Sequence, residues 1–234
     1  MMNLIWALMF SLSFAQEKSS AVLYDLKSNQ SKKLYTLSIE ATSIDGGTRL
    51  QTTYRDLEGK IIAQEKGFSI GDDLKEYTVE RPQTNEKGHI EVRDGRVYFE
   101  YEGPGGKTKK DDEKVKGKVL CVANFTAFVR QNWDSLVAGK AIPVRYAVWD
   151  RRETVGFTLE KMGESDHSGK KWLEIRMKPT SFVIAAIVDP IHLWYSVEGK
   201  NLMLMKGRVL PKIQGSSHSD QWKDLDAETV YTKD

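Results

Sequence analysis

Apolar and polar residues alternate with a period of two along much of the chain. In one such segment Tyr35, Leu37 and Ile39 occupy one face, and Thr36 and Ser38 occupy the other. Successive side chains of a β-strand point to opposite sides, so this pattern predicts a strand with one buried face. Comparable segments recur in both halves of the chain, separated by turns that contain glycine. The pattern predicts about ten antiparallel strands.

Two segments depart from this alternation and indicate helices. Between residues 119 and 138 the large apolar residues recur roughly every three or four positions, and Gly139 follows as a stop signal. The second segment, Phe182 to Val188, follows the potential capping pair Thr180-Ser181 and ends before Asp189-Pro190. We therefore expect one longer helix and one short apolar helix.

One stretch is entirely polar or glycine-rich. Residues 103–114 contain no apolar side chain, and lysines and acidic residues alternate in blocks within it. A segment with nothing to bury predicts an exposed, mobile loop. Its basic cluster could contact acidic headgroups or nucleic acid, but its charges nearly cancel, which favours a solvated loop.

The elements together predict a fold class. No linker, repeat or low-complexity tract divides the chain, so residues 16–234 are expected to form a single β-rich domain. We predict a mainly β fold with a few helices. It is built on a single strongly curved antiparallel sheet, a half-barrel, with the helices covering its concave face.

The N-terminus has the composition of an export signal. Met1 to Ala15 carries no charged side chain and closes with Ser13-Phe14-Ala15, which places small residues at the positions a signal peptidase inspects. The sequence therefore predicts a signal peptide over residues 1–15 and a periplasmic or secreted protein. A buried N-terminal strand or helix is the alternative. No later apolar run approaches the roughly 20 residues of a membrane helix, so we expect no integral membrane segment after cleavage.

Composition narrows the possible partners. The 234 residues include 35 Lys+Arg and 33 Asp+Glu, a net charge of +2. This balance supplies no excess basic field for a nucleic-acid backbone, so we predict no nucleic-acid partner. The single cysteine, Cys121, excludes an intrachain disulfide. It lies in an apolar run, where we expect an inert core thiol with a raised pKa.

Recognisable catalytic motifs are absent from the sequence. The four histidines, His89, His167, His192 and His218, form no helical pair with a glutamate. There is no nucleophile elbow, phosphate-binding glycine loop or calcium loop. We therefore predict no enzyme, no metal and no cofactor. An enzyme acting on an envelope substrate stays open as an alternative, which a compact cluster of titratable residues inside the cleft would support.

Large apolar side chains are in excess in the second half of the chain. They exceed what one face of a sheet requires, which predicts an apolar groove for a lipid-like ligand. For any single residue, a second packing layer or an interface is the alternative. The candidate groove residues are Trp149, Phe157, Phe182, Ile184, Ile187, Trp194, Met203 and Met205.

The second half also resembles a known family. Trp133, Leu136 and Gly139, followed by Ile142-Pro143-Val144 and later by Gly207-Arg208-Val209-Leu210-Pro211, resemble the uncharacterised exported bacterial proteins of the DUF3108 type. The resemblance covers mainly residues 119–213. These proteins are in turn similar to half-barrel periplasmic lipoprotein carriers and lipid-binding lipoproteins. The resemblance implies a fold and a compartment, and it supplies no catalytic residue.

Two functional hypotheses follow. The first is an exported envelope protein that binds an apolar or lipid-like ligand, or a lipidated partner, in a half-barrel groove. The second is a non-enzymatic module for protein–protein interaction in the envelope, with a solid β-core. An outer-membrane barrel is disfavoured because the strands do not maintain an outward apolar band.

Overall fold

The computed structural model describes residues 16–44, 46–186, 188–215 and 221–233. The predicted signal peptide, residues 1–15, lies outside these ranges. Within them the chain forms fifteen strands and three short helices, which confirms the prediction of a mainly β protein. The strands are β1 (Gln16–Asp25), β2 (Lys33–Ile44), β3 (Gly47–Arg55), β4 (Ile61–Ile70), β5 (Asp73–Arg81), β6 (Glu86–Arg93), β7 (Arg96–Glu102), β8 (Thr108–Lys114), β9 (Val119–Leu120), β10 (Ile142–Val148), β11 (Glu153–His167), β12 (Lys170–Pro179), β13 (Ile191–Ser196), β14 (Leu202–Gln214) and β15 (Trp222–Lys233).

All fifteen strands belong to one sheet. Their order is β8-β7-β6-β5-β4-β3-β2-β1-β15-β14-β13-β12-β11-β10-β9, so two antiparallel meanders meet where β1 pairs with β15. Only the two-residue β9 pairs in parallel, with β10. From β1 to β8 and from β10 to β15, consecutive strands are therefore neighbours in the sheet, and the β1–β15 pair is the long-range contact that joins the two halves.

The two edge strands of this sheet lie close together. Strand β8 ends at Lys114 and β9 begins at Val119, yet these strands stand at opposite ends of the strand order. Five residues of fully extended chain span at most about 18 Å, at roughly 3.3–3.6 Å per residue. The sheet must therefore curl until its edges approach one another, although it is not closed by backbone pairing.

Charged side chains connect the two approaching edges. Arg152, in the turn after β10, donates to Asp111 of β8 with a distance of 2.5 Å between Nε and Oδ2. Glu113 of β8 accepts a hydrogen bond from the backbone N–H of Thr154 and lies 3.9 Å from the guanidinium of Arg145. The prediction of an exposed loop over residues 103–114 is therefore wrong in part, because Thr108–Lys114 form β8. An edge strand exposed on both faces needs no apolar side chain, and charge protects it from unwanted pairing.

Trp149 makes a second contact between the two ends of the sheet. It follows β10 and packs over Gly88 of β6, where an added Cβ would lie only 2.4 Å from Cε3 of the indole. The guanidinium of Arg81 lies 4.9 Å from the indole centroid, and the ring of Tyr101 lies 5.8 Å from it. The absence of a side chain at Gly88 is what permits the tryptophan to pack there.

The predicted helix over residues 119–138 is two helices, α1 (Val122–Gln131) and α2 (Trp133–Val137). They are separated by Asn132, whose amide donates to the Phe128 carbonyl at 2.9 Å. Asn124, which weakens a helix by propensity, is fully buried. Its amide donates to the carbonyls of Asp72 and Val119 and its oxygen accepts from the Cys121 N–H, so it anchors the start of α1.

Helix α1 packs against β3, β4, β5 and β9. At Gly67 of β4 an added Cβ would lie 2.3 Å from that of Ala123, so the helix and strand approach closely there. The second predicted helix is shorter than expected, and α3 covers only Phe182–Ala185. Cys121 is buried beside α1, and burial raises the pKa of its thiol, as the sequence predicted.

Candidate ligand cavity

A large cavity lies between the two halves of the sheet. Its volume is about 1630 Å³, which exceeds the roughly 300–1,000 Å³ of pockets for drug-sized ligands. Strands from both meanders and α1 contribute to its lining. A space of this size can take an extended chain as well as a polar group.

One wall of the cavity is apolar. It is built by alternate residues of strands from the second half, where β11 to β14 pair so that large side chains stand side by side. Leu193 of β13, for example, pairs with Met205 of β14. Lining residues of this wall include Phe157, Met177, Ile191, Leu193, Met203 and Met205.

The structure brings five of the eight candidate groove residues to this lining, namely Trp149, Phe157, Ile184, Met203 and Met205. Phe182 is 89% exposed on α3 and does not belong to the lining that the described residues form. Trp194 is also outside it. Its neighbours Leu193 and Tyr195 are buried in the core, so the indole lies on the other face, near Lys206 and His192. Ile187 lies outside the described residues.

The lining also carries a polar cluster centred on Glu65 of β4. This side chain is only 5% exposed and lines the cavity. The Tyr54 hydroxyl donates to its Oε2 at 2.9 Å, and the Tyr77 hydroxyl donates to its Oε1. Tyr146 and Tyr231 also line the cavity. We call Glu65 and these four tyrosines the Glu65 cluster.

Strand register explains how Glu65 meets its two hydrogen-bond donors. Tyr54 of β3 pairs directly with Ala63, and Tyr77 of β5 pairs directly with Gly67. Each tyrosine is thus a diagonal neighbour of Glu65, at a separation that long side chains can bridge. Ala63 and Gly67 are small, so the phenol rings can lean over them toward the carboxylate.

Burial controls the ionisation of the cluster. Burial raises the pKa of Glu65, and the hydrogen bonds from Tyr77 and Tyr54 only partly offset this effect. Burial, with the charge of Glu65 as a further cause, raises the pKa of Tyr54 and of Tyr77 well above the usual value. The pKa values of Tyr146 and Tyr231 are raised by burial first, and the charge of Glu65 contributes to both. All four phenols therefore stay protonated at neutral pH.

Glu65 differs from Arg81, the other buried charged residue on the lining, in lacking an ion-pair partner among the described residues. Arg81 pairs with Glu86 at 2.6 Å, and Arg208 pairs with Asp226 at 2.9 Å. For Glu65, no Lys, Arg or His nitrogen of the described ranges lies within 4.0 Å of the carboxylate. The cavity wall thus contains a buried acid whose charge is not balanced by ion pairing.

A second polar group on the lining lacks a hydrogen-bond partner. The hydroxyl of Thr229 on β15 has none within the described part of the chain, although the residue is only 1% exposed. Its strand neighbours are Leu23 and Met205. A buried hydroxyl without a partner in these apolar surroundings carries an uncompensated desolvation cost.

Sequence reasoning missed the Glu65 cluster. The segment Ile61-Ile62-Ala63 was recognisable as a strand, and its period of two continues through Glu65 and Gly67. An acidic residue at an inward position of a strand is uncommon, because buried charge is costly. The inward position of Glu65 was therefore the signal that the sequence offered. The four tyrosines, however, come from strands that no local pattern brings together.

The described residues contain neither a helix that is long and apolar enough to cross a membrane nor a group of three His, Cys, Asp or Glu side chains placed to hold a metal ion.

Comparison with known proteins gives one structural similarity. No family model and no curated protein matches the chain. The resemblance to DUF3108-type proteins therefore stays a prediction. The fold is similar to the crystal structure of a β-barrel-like protein of a domain of unknown function, DUF1849, from Brucella abortus. The TM-score is 0.43 and the identity 10%, over 93% of this chain and 94% of that one.

Proposed function

We propose that this protein is exported to the cell envelope and binds an apolar or lipid-like ligand, free or attached to a lipidated partner, in the cavity. The observation that carries the proposal is the cavity itself, about 1630 Å³ in volume with one apolar wall. Export is supported by the signal-peptide pattern of residues 1–15. It also agrees with the resemblance to exported DUF3108-type proteins.

In this proposal the sheet is a half-barrel, and its concave face carries both the cavity and α1. Glu65 and Gly67 are two residues apart on β4 and therefore share a face. Glu65 lines the cavity, and Gly67 contacts Ala123 of α1. The helix thus approaches the sheet from the side on which the cavity lies.

The apolar wall can supply useful affinity. Burying about ten methylene groups at ~0.8 kcal/mol each contributes ~8 kcal/mol before the costs of association are subtracted. Met203 and Met205 add side chains that adapt to ligand shape because they are flexible and polarizable.

The alternative of an interaction module requires a solid core, and the cavity favours ligand binding over it. An enzyme is the other alternative, and the Glu65 cluster is a compact titratable group of the kind that would support one. Both carboxylate oxygens of Glu65, however, already accept a tyrosine hydroxyl. These two hydrogen bonds hold the carboxylate in place and leave a second lone pair on each oxygen for a bound group, which favours a binding role over proton transfer.

The test is lipid extraction and probe binding on purified protein. We expect organic extraction to release a co-purified lipid, and a fluorescent fatty-acid probe to bind saturably. Ile39→Trp should weaken probe binding at least about tenfold, because Ile39 lines the cavity and a larger ring occupies its space. Ser38→Trp is the matched control, because Ser38 precedes Ile39 on β2 and its side chain is exposed.

Trp194→Asp provides a second control on the other face of the sheet. It should leave probe affinity unchanged, because Trp194 does not line the cavity described above. Absence of both lipid and probe binding in the wild-type protein would reject the proposal. Equal probe affinity in Ile39→Trp and Ser38→Trp would place the binding site elsewhere.

A further inference from the structure

We propose that the Glu65 cluster recognises a cationic head group of the alkylammonium type, so that the ligand is an amphiphile with a positively charged amine. This inference rests on the proposed function and specifies its ligand class. In this arrangement the apolar chain lies against β11 to β14, and the cation lies beside Glu65 of β4.

The first argument is charge. Glu65 lines the cavity at 5% exposure, and no basic side chain of the described ranges lies within 4.0 Å of it. A buried carboxylate without a counter-ion is costly, and two hydrogen bonds from tyrosines compensate only part of that cost. A cation on the ligand supplies the missing partner, whereas an anionic head group would face a like charge.

The second argument is the composition of the surrounding wall. Tyr54, Tyr77, Tyr146 and Tyr231 all line the cavity, and the hydroxyls of Tyr54 and Tyr77 donate to the carboxylate of Glu65. Aromatic rings attract cations, and cages of aromatic side chains bind quaternary ammonium groups in other proteins. Two tyrosines on the carboxylate and two more on the same lining combine this attraction with an opposite charge.

The third argument is the contrast with the basic residues on the lining. Arg81 and Arg208 are both held by acidic partners, at 2.6 Å from Glu86 and 2.9 Å from Asp226. They are therefore less available to an anionic head group. Arg130, Lys170 and Lys171 also line the cavity without an ion pair among the described residues, but their side chains are exposed. Of the two buried charged residues on the lining, Glu65 and Arg81, only Glu65 has no ion-pair partner in the described part of the chain.

The experiment compares three amphiphiles that share one chain and differ in the head group. Decyltrimethylammonium, decanol and decyl sulfate are titrated into the full-length wild-type protein below their micellar concentrations, with calorimetric detection. We expect the ammonium compound to bind at least about tenfold more tightly than the other two. Glu65→Gln keeps the side-chain shape and removes the charge, so it should abolish that preference and leave decanol affinity within about twofold.

Glu80→Gln is the matched control. It removes the same charge from an exposed position of the neighbouring strand β5, and it should retain the head-group preference. If Glu65→Gln fails to fold, Tyr146→Leu replaces it, because losing one ring should weaken binding of the ammonium compound more than that of decanol. The wild-type ranking of the three compounds tests the head-group preference without any variant, and the variants test its assignment to the Glu65 cluster.

The outcomes distinguish failure of the proposed lipid-binding function from failure of the proposed cationic head group. If none of the three compounds binds, the proposed function fails, and this inference fails with it. If all bind equally, or the sulfate or the alcohol binds best, the cavity binds chains but the cationic head group is wrong. The same holds if the preference for ammonium survives in Glu65→Gln.

Discussion

Replacing Gly88 by alanine tests whether the two ends of the sheet pack on each other. At an open strand position with a permitted backbone conformation, Gly→Ala stabilises a protein by about 0.4–1 kcal/mol, because the unfolded chain loses freedom. In this structure the added Cβ would lie 2.4 Å from Cε3 of Trp149 and 2.9 Å from Cδ2. Overpacking of this kind costs about 1–3 kcal/mol. We therefore expect Gly88→Ala to destabilise the protein, opposite in sign to the open-strand case.

The assay is urea unfolding followed by circular dichroism, in a double-mutant cycle with Trp149→Leu. The smaller side chain should relieve the overlap, so the coupling free energy between the two substitutions should be about 1 kcal/mol or more, within the 0.5–3 kcal/mol found for residues in contact. Gly163→Ala is the control, since Gly163 of β11 has no atom within 4 Å of an added Cβ. It should be neutral or stabilising.

Two results would refute the reasoning. A neutral or stabilising Gly88→Ala would show that the indole does not lie over this glycine. Additive effects of Gly88→Ala and Trp149→Leu would show that the two residues do not touch. In either case the sheet would be more open than described, and the cavity would lack this part of its wall.

Two further predictions concern Glu65 and Phe182. The raised pKa of Glu65 means that its contribution to stability is complete below the ordinary glutamate value of 4.5 and is lost as pH rises through the folded-state value. The free energy of unfolding of Glu65→Gln should therefore rise relative to that of the wild type as pH increases. Urea unfolding repeated from acidic to mildly alkaline pH measures this trend, and a difference in free energy that does not change with pH would contradict it. Phe182→Ser should change the free energy of unfolding by no more than about 0.5 kcal/mol, because the ring is 89% exposed. The ring of Phe157 is only 6% exposed, so Phe157→Ser should lower the free energy of unfolding by about 3–5 kcal/mol. Similar losses for the two variants would show that Phe182 is buried.

The strands were accessible to sequence reasoning because their pattern is local. Leu37 and Ile39 on one face of β2, and Leu193 and Tyr195 on one face of β13, follow from the period of two alone. The same rule puts Trp194 on the face opposite Leu193, so its inclusion among the groove residues conflicted with its own position. The size of the Trp194 side chain suggested a ligand contact, but the geometry of the strand decides the direction in which that side chain points.

Elements with both faces exposed were harder to predict. Residues 108–114 have no apolar pattern, yet they form β8, because an edge strand is held by backbone hydrogen bonds to β7 and needs no buried face. The helical segment 119–138 was recognised, but its break at Asn132 was not. At the break the backbone of Asn132 leaves the helical conformation and its amide donates to the Phe128 carbonyl, which spacing does not reveal.

The amino-acid order alone determined the strand-forming segments, which face of most strands is apolar, and the excess of large side chains in the second half. Tertiary structure decided how far the sheet curls, how its edges meet at Asp111 and Arg152, and which side chains share the cavity. Glu65 meets Tyr54 and Tyr77 through strand register, whereas Tyr146 and Tyr231 share its cavity only because the sheet curves. Alternation along a strand specifies direction, whereas curvature arises from contacts between residues far apart in the chain.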